Sequence, residues 1–222
     1  MQDRNQDNDT AAEPTLDIGS TSLTASLLRR TPLLTLHHLI STRQLTSHAL
    51  TNASLGLIAS TNSTYHHTID VSPSALTSAA ALDTEVQSGS RSALHGISIL
   101  VKDNIPTLDG THTTCGSMAL VGAVPSEEAE VVGALRAAGA VVVGKGNMAE
   151  WAGFRSTSGC SGWSARGGQT TGLFWPGMKA SGSSGGCAVA VGLGIVGAAL
   201  GTEVCTSTRR TILPCFVVMN LV

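Results

Sequence analysis

The chain has 222 residues, 42% of them hydrophobic and 13% charged, with a formal net charge of −2, so its composition is that of a chain that buries a core. Near-neutral charge and only 3% aromatic residues exclude the basic face and stacking platforms of a nucleic-acid binder. The five cysteines (Cys115, Cys160, Cys187, Cys205, Cys215) form no CxxC pair and no cysteine–histidine cluster, which argues against a zinc site, any other metal centre or a disulfide framework.

In chain order, residues 1–20 read as a disordered tail, polar and acidic through Glu13, without the apolar core of a secretory signal. With an odd cysteine count, this gives a cytoplasmic reading. The sequons at Asn52 and Asn62 are of a kind that arises by chance in a Ser/Thr-rich chain. Residues 21–222 are expected to form one unit.

From Leu33 to Ile58 the pattern is helical. Ser41 or Thr42 can cap a segment in which Leu45, Ala49, Leu50, Ala53 and Leu57 recur at three- and four-residue spacing. Ser72-Pro73 opens a second helix, Ser74 to Val86, with Gly89 beyond its end. Both are expected on the outside of the fold.

The β-branched run Gly96 to Val101 reads as a buried strand. Ser126 then precedes Glu127, Glu128 and Glu130, whose charge suits a helix N-terminus, and Val131, Val132, Leu135 and Ala138 share a face up to Gly139. Val141 to Val143 follows as a strand. Strand, helix, strand is a βαβ unit, so the fold class is α/β with a parallel sheet.

From Gly153 to Gly186 the chain is rich in Gly, Ser and Thr, which fits either a flexible loop or a segment that approaches a ligand closely. The apolar stretch Cys187 to Gly201 reads as a glycine-rich helix, shorter than the roughly 20 residues of a membrane span, so no transmembrane helix is expected.

Two glycine motifs point to nucleotides and fail on context. Gly139 to Lys145 lacks the Ser or Thr that follows the lysine of a P-loop, and its interior reads as a strand. Gly192-Leu-Gly194-Ile-Val-Gly197 matches GxGxxG, yet no turn residue separates it from the preceding apolar run and no acidic partner lies about 20 residues on.

Lysine is scarce: Lys102, Lys145 and Lys179 are the only three. Lys102 ends an apolar strand, where burial would disfavour the charged ammonium and make it a base; a solvated lysine or a partner of Asp103 is the other reading. Ser181-Gly182-Ser183-Ser184-Gly185-Gly186 and Gly201-Thr-Glu-Val-Cys-Thr-Ser207 are small-residue turns that could add a nucleophile, a relay and oxyanion donors. The histidine pairs 37/38 and 66/67 lie in polar surroundings with no GxSxG elbow, which disfavours a Ser-His-Asp hydrolase.

GISILVKDN, LRAAGAVVVGKGNMAEWA, GWSARGGQT, SGSSGG and LGTEVCTS stand in an order and spacing that resembles the amidase signature family, most closely its fungal members, over roughly Leu33 to Ser207. The resemblance implies a mixed, largely parallel sheet flanked by helices. By position it makes Lys102 the catalytic lysine, Ser183 the relay serine and Ser207 the acyl nucleophile. The amides of Val204, Cys205, Thr206 and Ser207 would form the oxyanion hole, and Gly182, Ser184, Gly185 and Gly186 the supporting loop. It further implies a cis Gly182–Ser183 peptide bond, a small-molecule amide substrate and no cofactor.

Two departures stand out. Cys205-Thr206 occupies positions where the family carries glycine just before the nucleophile, and residues 208–222 diverge from it. The family's C-terminal half is not represented, so the expectation is a truncated copy with impaired activity, exposed apolar sheet surface and unpaired sheet edges. The alternatives are an A-type component of an amidotransferase, a non-catalytic fragment, and nucleotide binding through the glycine motifs. Oligomeric state is not legible.

Overall fold

The computed structural model describes residues 28–29, 31–89, 91–154, 156–157, 160–175, 177–203 and the backbone of 216–219. The tail expected over residues 1–20 lies outside these residues. Among the described residues no helix is long and apolar enough to cross a membrane.

The helical stretch near the N-terminus is two helices, α1 (Leu33–Ser41) and α2 (Ser47–Tyr65). Ser41 and Thr42 close α1, with both hydroxyls donating to carbonyls one turn back, at His37 and His38. Arg43 then takes a left-handed φ of 61°, which breaks the path. The cap of α2 is therefore Thr46, whose hydroxyl accepts from the Ala49 amide at 3.0 Å. Leu50, Ala53 and Leu57 are buried as their spacing requires.

A carboxylate from outside completes the start of α2. Asp83 lies in α3 (Ala75–Glu85) and accepts from the Ser47 and His48 amides at 2.6 and 3.0 Å. A negative charge on free amides at a helix N-terminus is favourable. Replacing Asp83 by Ala should lower unfolding free energy by about 1–2 kcal/mol, read by urea denaturation; an unchanged midpoint would refute that role. α3 lies within the expected Ser74 to Val86 and runs into a 3-10 turn (Val86–Ser88), with Gly89 at φ 114° beyond its end.

The sheet contains β1 (Thr68–Val71), β2 (Ser98–Lys102), β3 (Val141–Gly146), β6 (Ala198–Gly201) and β7 (Phe216–Met219), in the order β1-β3-β2-β6-β7. The central strands β3, β2 and β6 are parallel, and an antiparallel strand flanks each side. Every residue of the three central strands is buried, against the expectation of exposed apolar sheet surface, because both faces of this parallel sheet are covered. The expected α/β class with a mixed sheet is the observed one.

Between β2 and β3 lies α4 (Glu130–Ala137), which gives the predicted strand–helix–strand order. It starts later than the acidic run suggests, because Glu128 faces Arg136 at 3.2 Å and accepts from the Leu108 amide at 3.1 Å instead of entering the first turn. Val132 is the fully buried residue of α4, with Val131 and Leu135 packed more loosely against the core.

Three expectations change. The run from Cys187 to Gly201 is not one helix: α5 (Gly185–Gly192) ends there, Gly194 turns at φ 65°, and β6 follows. A Cβ on Gly194 would stand 2.5 Å from the Arg29 Cα, so the GxGxxG match serves a helix-to-strand turn. β3 continues through Gly144, Lys145 and Gly146, which places the P-loop-like lysine inside a buried strand. Finally, the outer edge of β6 is paired by residues of the divergent tail, since Gly201 to Ala198 stand opposite Phe216 to Met219.

The described part of the Gly/Ser/Thr-rich segment is held by hydrogen bonds. It forms a hairpin of β4 (Trp163–Ser164) and β5 (Gly168–Gln169), fastened from below by the fully buried Asn147. The Asn147 amide nitrogen reaches the carbonyls of His66 and Gly168 and the Thr170 hydroxyl, while its oxygen accepts from the Ser164 hydroxyl at 2.7 Å. A side chain on Gly167 would meet Asn147 at 2.4 Å, so the loop composition follows from this close approach.

Candidate active site

Lys102 is the last residue of β2, beside Gly146 at the end of β3. The carboxyl ends of parallel strands are where open α/β sheets form their sites. The side chain is fully buried, which overturns the reading of a solvated lysine. Its Nζ lies 2.7 Å from the Ser183 Oγ and 2.7 Å from the Thr202 Oγ1, with the Thr202 carbonyl at 3.4 Å. Two residues 81 positions apart in the chain are thus brought to hydrogen-bond distance.

Asp103 turns its carboxylate elsewhere. It accepts from the Thr114 hydroxyl and the Gly116 amide and faces Arg166 at 3.6 Å. Burial raises its carboxyl above the usual range, opposed by those hydrogen bonds and by the charges of Lys145 and Arg166. The same Arg166 reaches Asp70 at 2.6 Å, with His112 at 2.9 Å from that carboxylate. The two carboxylates thereby tie the loop after β2 to the hairpin and to β1.

Ser183 sits between strand ends because the loop around it is fastened on two sides. Its carbonyl accepts from the Ala149 amide at 3.2 Å. Ser184, at the cap of α5, directs its hydroxyl to the Thr202 carbonyl at 3.2 Å and accepts from the Thr202 amide at 3.3 Å. The Gly186 amide donates to the Asn147 carbonyl, and a Cβ there would lie 2.3 Å from the His67 carbonyl. Gly185 is similarly confined, 3.0 Å from the Ala180 Cβ. The supporting loop needs its small residues for backbone approach.

The expected cis bond is absent. No cis peptide occurs among the described residues, and Gly182 makes the turn with a φ of 71°. A positive φ of this kind is one that glycine adopts without steric cost. Ser207 and the amides of Val204, Cys205 and Thr206 lie outside the described residues.

Three of the histidines, His67, His95 and His112, are engaged away from Lys102 and Ser183. His67 is fully buried, with its ring between the Thr61 and Thr68 hydroxyls at 2.9 and 2.7 Å. Burial, helped by the neighbouring His66, lowers its pKa to about 4, so it is neutral at physiological pH. His95 bonds to the Leu82 carbonyl and His112 to Asp70.

Sequence reasoning missed Thr202 and Asn104, which meet at 3.1 Å beside Lys102. The signal was available in part, since Asn104 follows two residues after the lysine and Thr202 stands in the small-residue stretch from Gly201 to Ser207. Lys145 was seen as a motif and not as a buried group. Its Nζ donates to the Ile105 carbonyl and to the Thr107 and Thr113 hydroxyls, holding the loop that carries Asn104.

Comparison with known proteins identifies the family. A family described as Amidase matches residues 49–215. A putative amidase of Arthroderma benhamiae is 45% identical over 147 residues, which are 66% of this chain and 25% of that protein. The A-type component of the glutamyl-tRNA(Gln) amidotransferase of Deinococcus radiodurans is 42% identical over 132 residues, 60% of this chain and 26% of that one. The solved peptide amidase from Stenotrophomonas maltophilia superposes with a TM-score of 0.75 at 42% identity, covering 78% of this chain and 36% of its own. The chain thus spans about a quarter to a third of the length of these relatives. With the matching region covering most of its length and Lys102 and Ser183 joined at the centre of the fold, the chain belongs to the amidase family.

Proposed function

We propose that the chain carries the N-terminal part of the catalytic apparatus of an amide C–N bond hydrolase, working through an acyl-serine intermediate on a small-molecule amide. The observation that carries this reading is the 2.7 Å contact between the buried Lys102 Nζ and the Ser183 Oγ. Unprotonated Lys102 takes the proton of Ser183 as Ser183 takes that of Ser207, and the Ser207 oxygen forms a bond to the amide carbonyl carbon. The amides of Val204, Cys205, Thr206 and Ser207 receive the developing oxyanion.

Collapse of the tetrahedral adduct breaks the C–N bond, and the amine leaves with the proton returned through Ser183. Water then adds to the acyl-serine by the same relay and releases a carboxylic acid. The burial of Lys102 supports its role as base, because desolvation disfavours an ammonium. The reaction needs no cofactor.

A second reading is favoured by particular residues. Cys205 and Thr206 carry Cβ atoms just before the nucleophile, where a positive φ would be strained, so weak activity or a non-catalytic role fits the same sequence. The likeness to the A-type component of an amidotransferase supports a third, in which activity requires partner proteins.

An activated serine-directed probe such as a fluorophosphonate separates these readings. Covalent labelling of the purified chain that disappears in Ser207→Ala is the result expected. Equal labelling in Ser207→Ala would reject the nucleophile, absence of labelling in a folded chain would favour the non-catalytic reading, and labelling only with partner proteins would favour the amidotransferase.

A further inference from the structure

We propose that Asp103 and Arg166 act together as positioning residues: they clamp the turn at residues 114–116 and, through it, the strained turn that holds the Ser183 carbonyl, so that Ser183 stands against Lys102. This rests on the reading of Lys102 and Ser183 as the catalytic pair. Asp103 directly follows Lys102 at the end of β2, and its amide donates to the Gly146 carbonyl of β3 at 3.1 Å. The clamp therefore starts from a fixed point of the sheet.

Its contacts converge on three consecutive residues. Asp103 Oδ2 accepts from the Thr114 hydroxyl and, at 2.8 Å, from the Gly116 amide, while the Asp103 carbonyl accepts from the Cys115 amide at 3.3 Å. The Arg166 amide donates to the Gly116 carbonyl at 3.0 Å. The Arg166 side chain closes the ring, with Nη1 facing Asp103 Oδ1 at 3.6 Å and Nη2 reaching Asp70 at 2.6 Å. A Cβ on Gly116 would lie 2.6 Å from the Ser164 Cβ, so the turn is pressed against the hairpin that carries Arg166.

From this turn the path to Ser183 is short. The Cys115 carbonyl accepts from the Trp151 amide at 2.9 Å, and the Ala152 amide closes the same turn onto the Ala149 carbonyl at 2.8 Å. The Ala149 amide in turn donates to the Ser183 carbonyl at 3.2 Å. Cys115, Trp151 and Ala152 hold φ of 52°, 51° and 56°, and they are three of the five non-glycine residues with positive φ among the described residues. A left-handed backbone is costly for a residue with a Cβ and persists where its surroundings over-determine it. Here the surroundings include the clamp, which fixes both neighbours of Cys115.

The charge on Asp103 has a separate purpose from its hydrogen bonds. Asp103 is fully buried, and its Oδ1 makes no hydrogen bond. Thr114 and Gly116 need only one acceptor oxygen, which an asparagine would supply without the desolvation of a carboxylate. What the neutral residue would not supply is the attraction for Arg166 across the turn.

The test uses the whole chain. In Thr114→Val, Asp103→Asn and Arg166→Met, kcat on a chromogenic anilide should fall about 10–100-fold with KM within about twofold of the parent. Crystal structures of these variants should show the Ser183 hydroxyl out of hydrogen-bond reach of Lys102 Nζ. Thr114→Ser, which returns the hydroxyl, should restore both readouts. A merely structural role would lower the thermal midpoint while the folded variants kept their kcat and the contact between Ser183 and Lys102, and that result overturns the assignment. Should the charge variants fail to fold, Thr114→Val, which leaves the ion pair in place, decides. If the parent chain hydrolyses no amide, the functional reading fails and the structures decide alone: loss of the contact in Thr114→Val with recovery in Thr114→Ser upholds the positioning role, and an unmoved contact rejects it.

Discussion

Replacing Lys102 by Met is expected to lower the rate of amide hydrolysis, or of labelling by a serine-directed probe, by about 10²–10⁴-fold, which is about 3–5 kcal/mol in barrier height. Methionine nearly matches the aliphatic length of lysine, so the fully buried position at the end of β2 stays filled while the base is removed. Ser183→Ala should lose a comparable factor, because it removes the hydroxyl that the proposed relay passes through, 2.7 Å from Nζ. Residues that act as one unit are non-additive, so the double variant should be little slower than either single one. Lys102→Arg should give no rescue, since a guanidinium does not give up its proton. The readouts are kcat/KM and the second-order labelling rate, with circular dichroism to verify the fold. Activity within about threefold of the parent in Lys102→Met would remove Lys102 from the mechanism.

What could be read from the sequence divides along a physical line. β2, α4 and β3 were legible because β-branched runs and a capped apolar face are local signals. Lys102 was legible for the same reason, as a charge at the end of an apolar strand. The break of the glycine-rich run into α5 and β6 was not, because it depends on Gly194 packing against Arg29, a residue more than 160 positions away. β1 escaped notice because four residues with mixed burial carry little periodicity, and its pairing with β3 is set by the close approach of the Asp70 carbonyl to Gly144.

The same contrast holds in the site. The family resemblance placed Lys102 and Ser183, and the fold brings them together. Thr202, Asn104 and Asn147 act by where the fold puts them, and an amide or hydroxyl in a polar stretch has no distinguishing mark in sequence. The order of the Gly/Ser/Thr-rich segment was unreadable for that reason, since it comes from the buried Asn147 amide and not from any pattern within the segment.

Stability should respond to alkaline pH through two buried groups of opposite sign. Lys145 is fully buried in β3 and burial lowers its pKa to about 8, while nearby Asp103, Asp109 and Asp70 limit the fall. Between pH 8 and the ordinary lysine value of 10.5 the unfolded chain holds a proton that the folded chain has lost. Unfolding free energy therefore rises with pH across that window, by about 3 kcal/mol for a shift of this size. Cys187 is also fully buried, and burial pushes its thiol up to about 12 from 9.0. Above pH 9 the unfolded thiol ionises while the folded one stays protonated, so this contribution falls as pH rises. Together the two groups contribute a climb from pH 8 to 9 and near-cancellation above it. Removing one group should expose the other. Relative to the parent, urea unfolding of Cys187→Ala should gain a continued climb to about pH 10.5, and Lys145→Met should lose the climb above pH 8. Parallel pH profiles for the parent and Lys145→Met would show that the buried ammonium keeps its ordinary affinity for the proton.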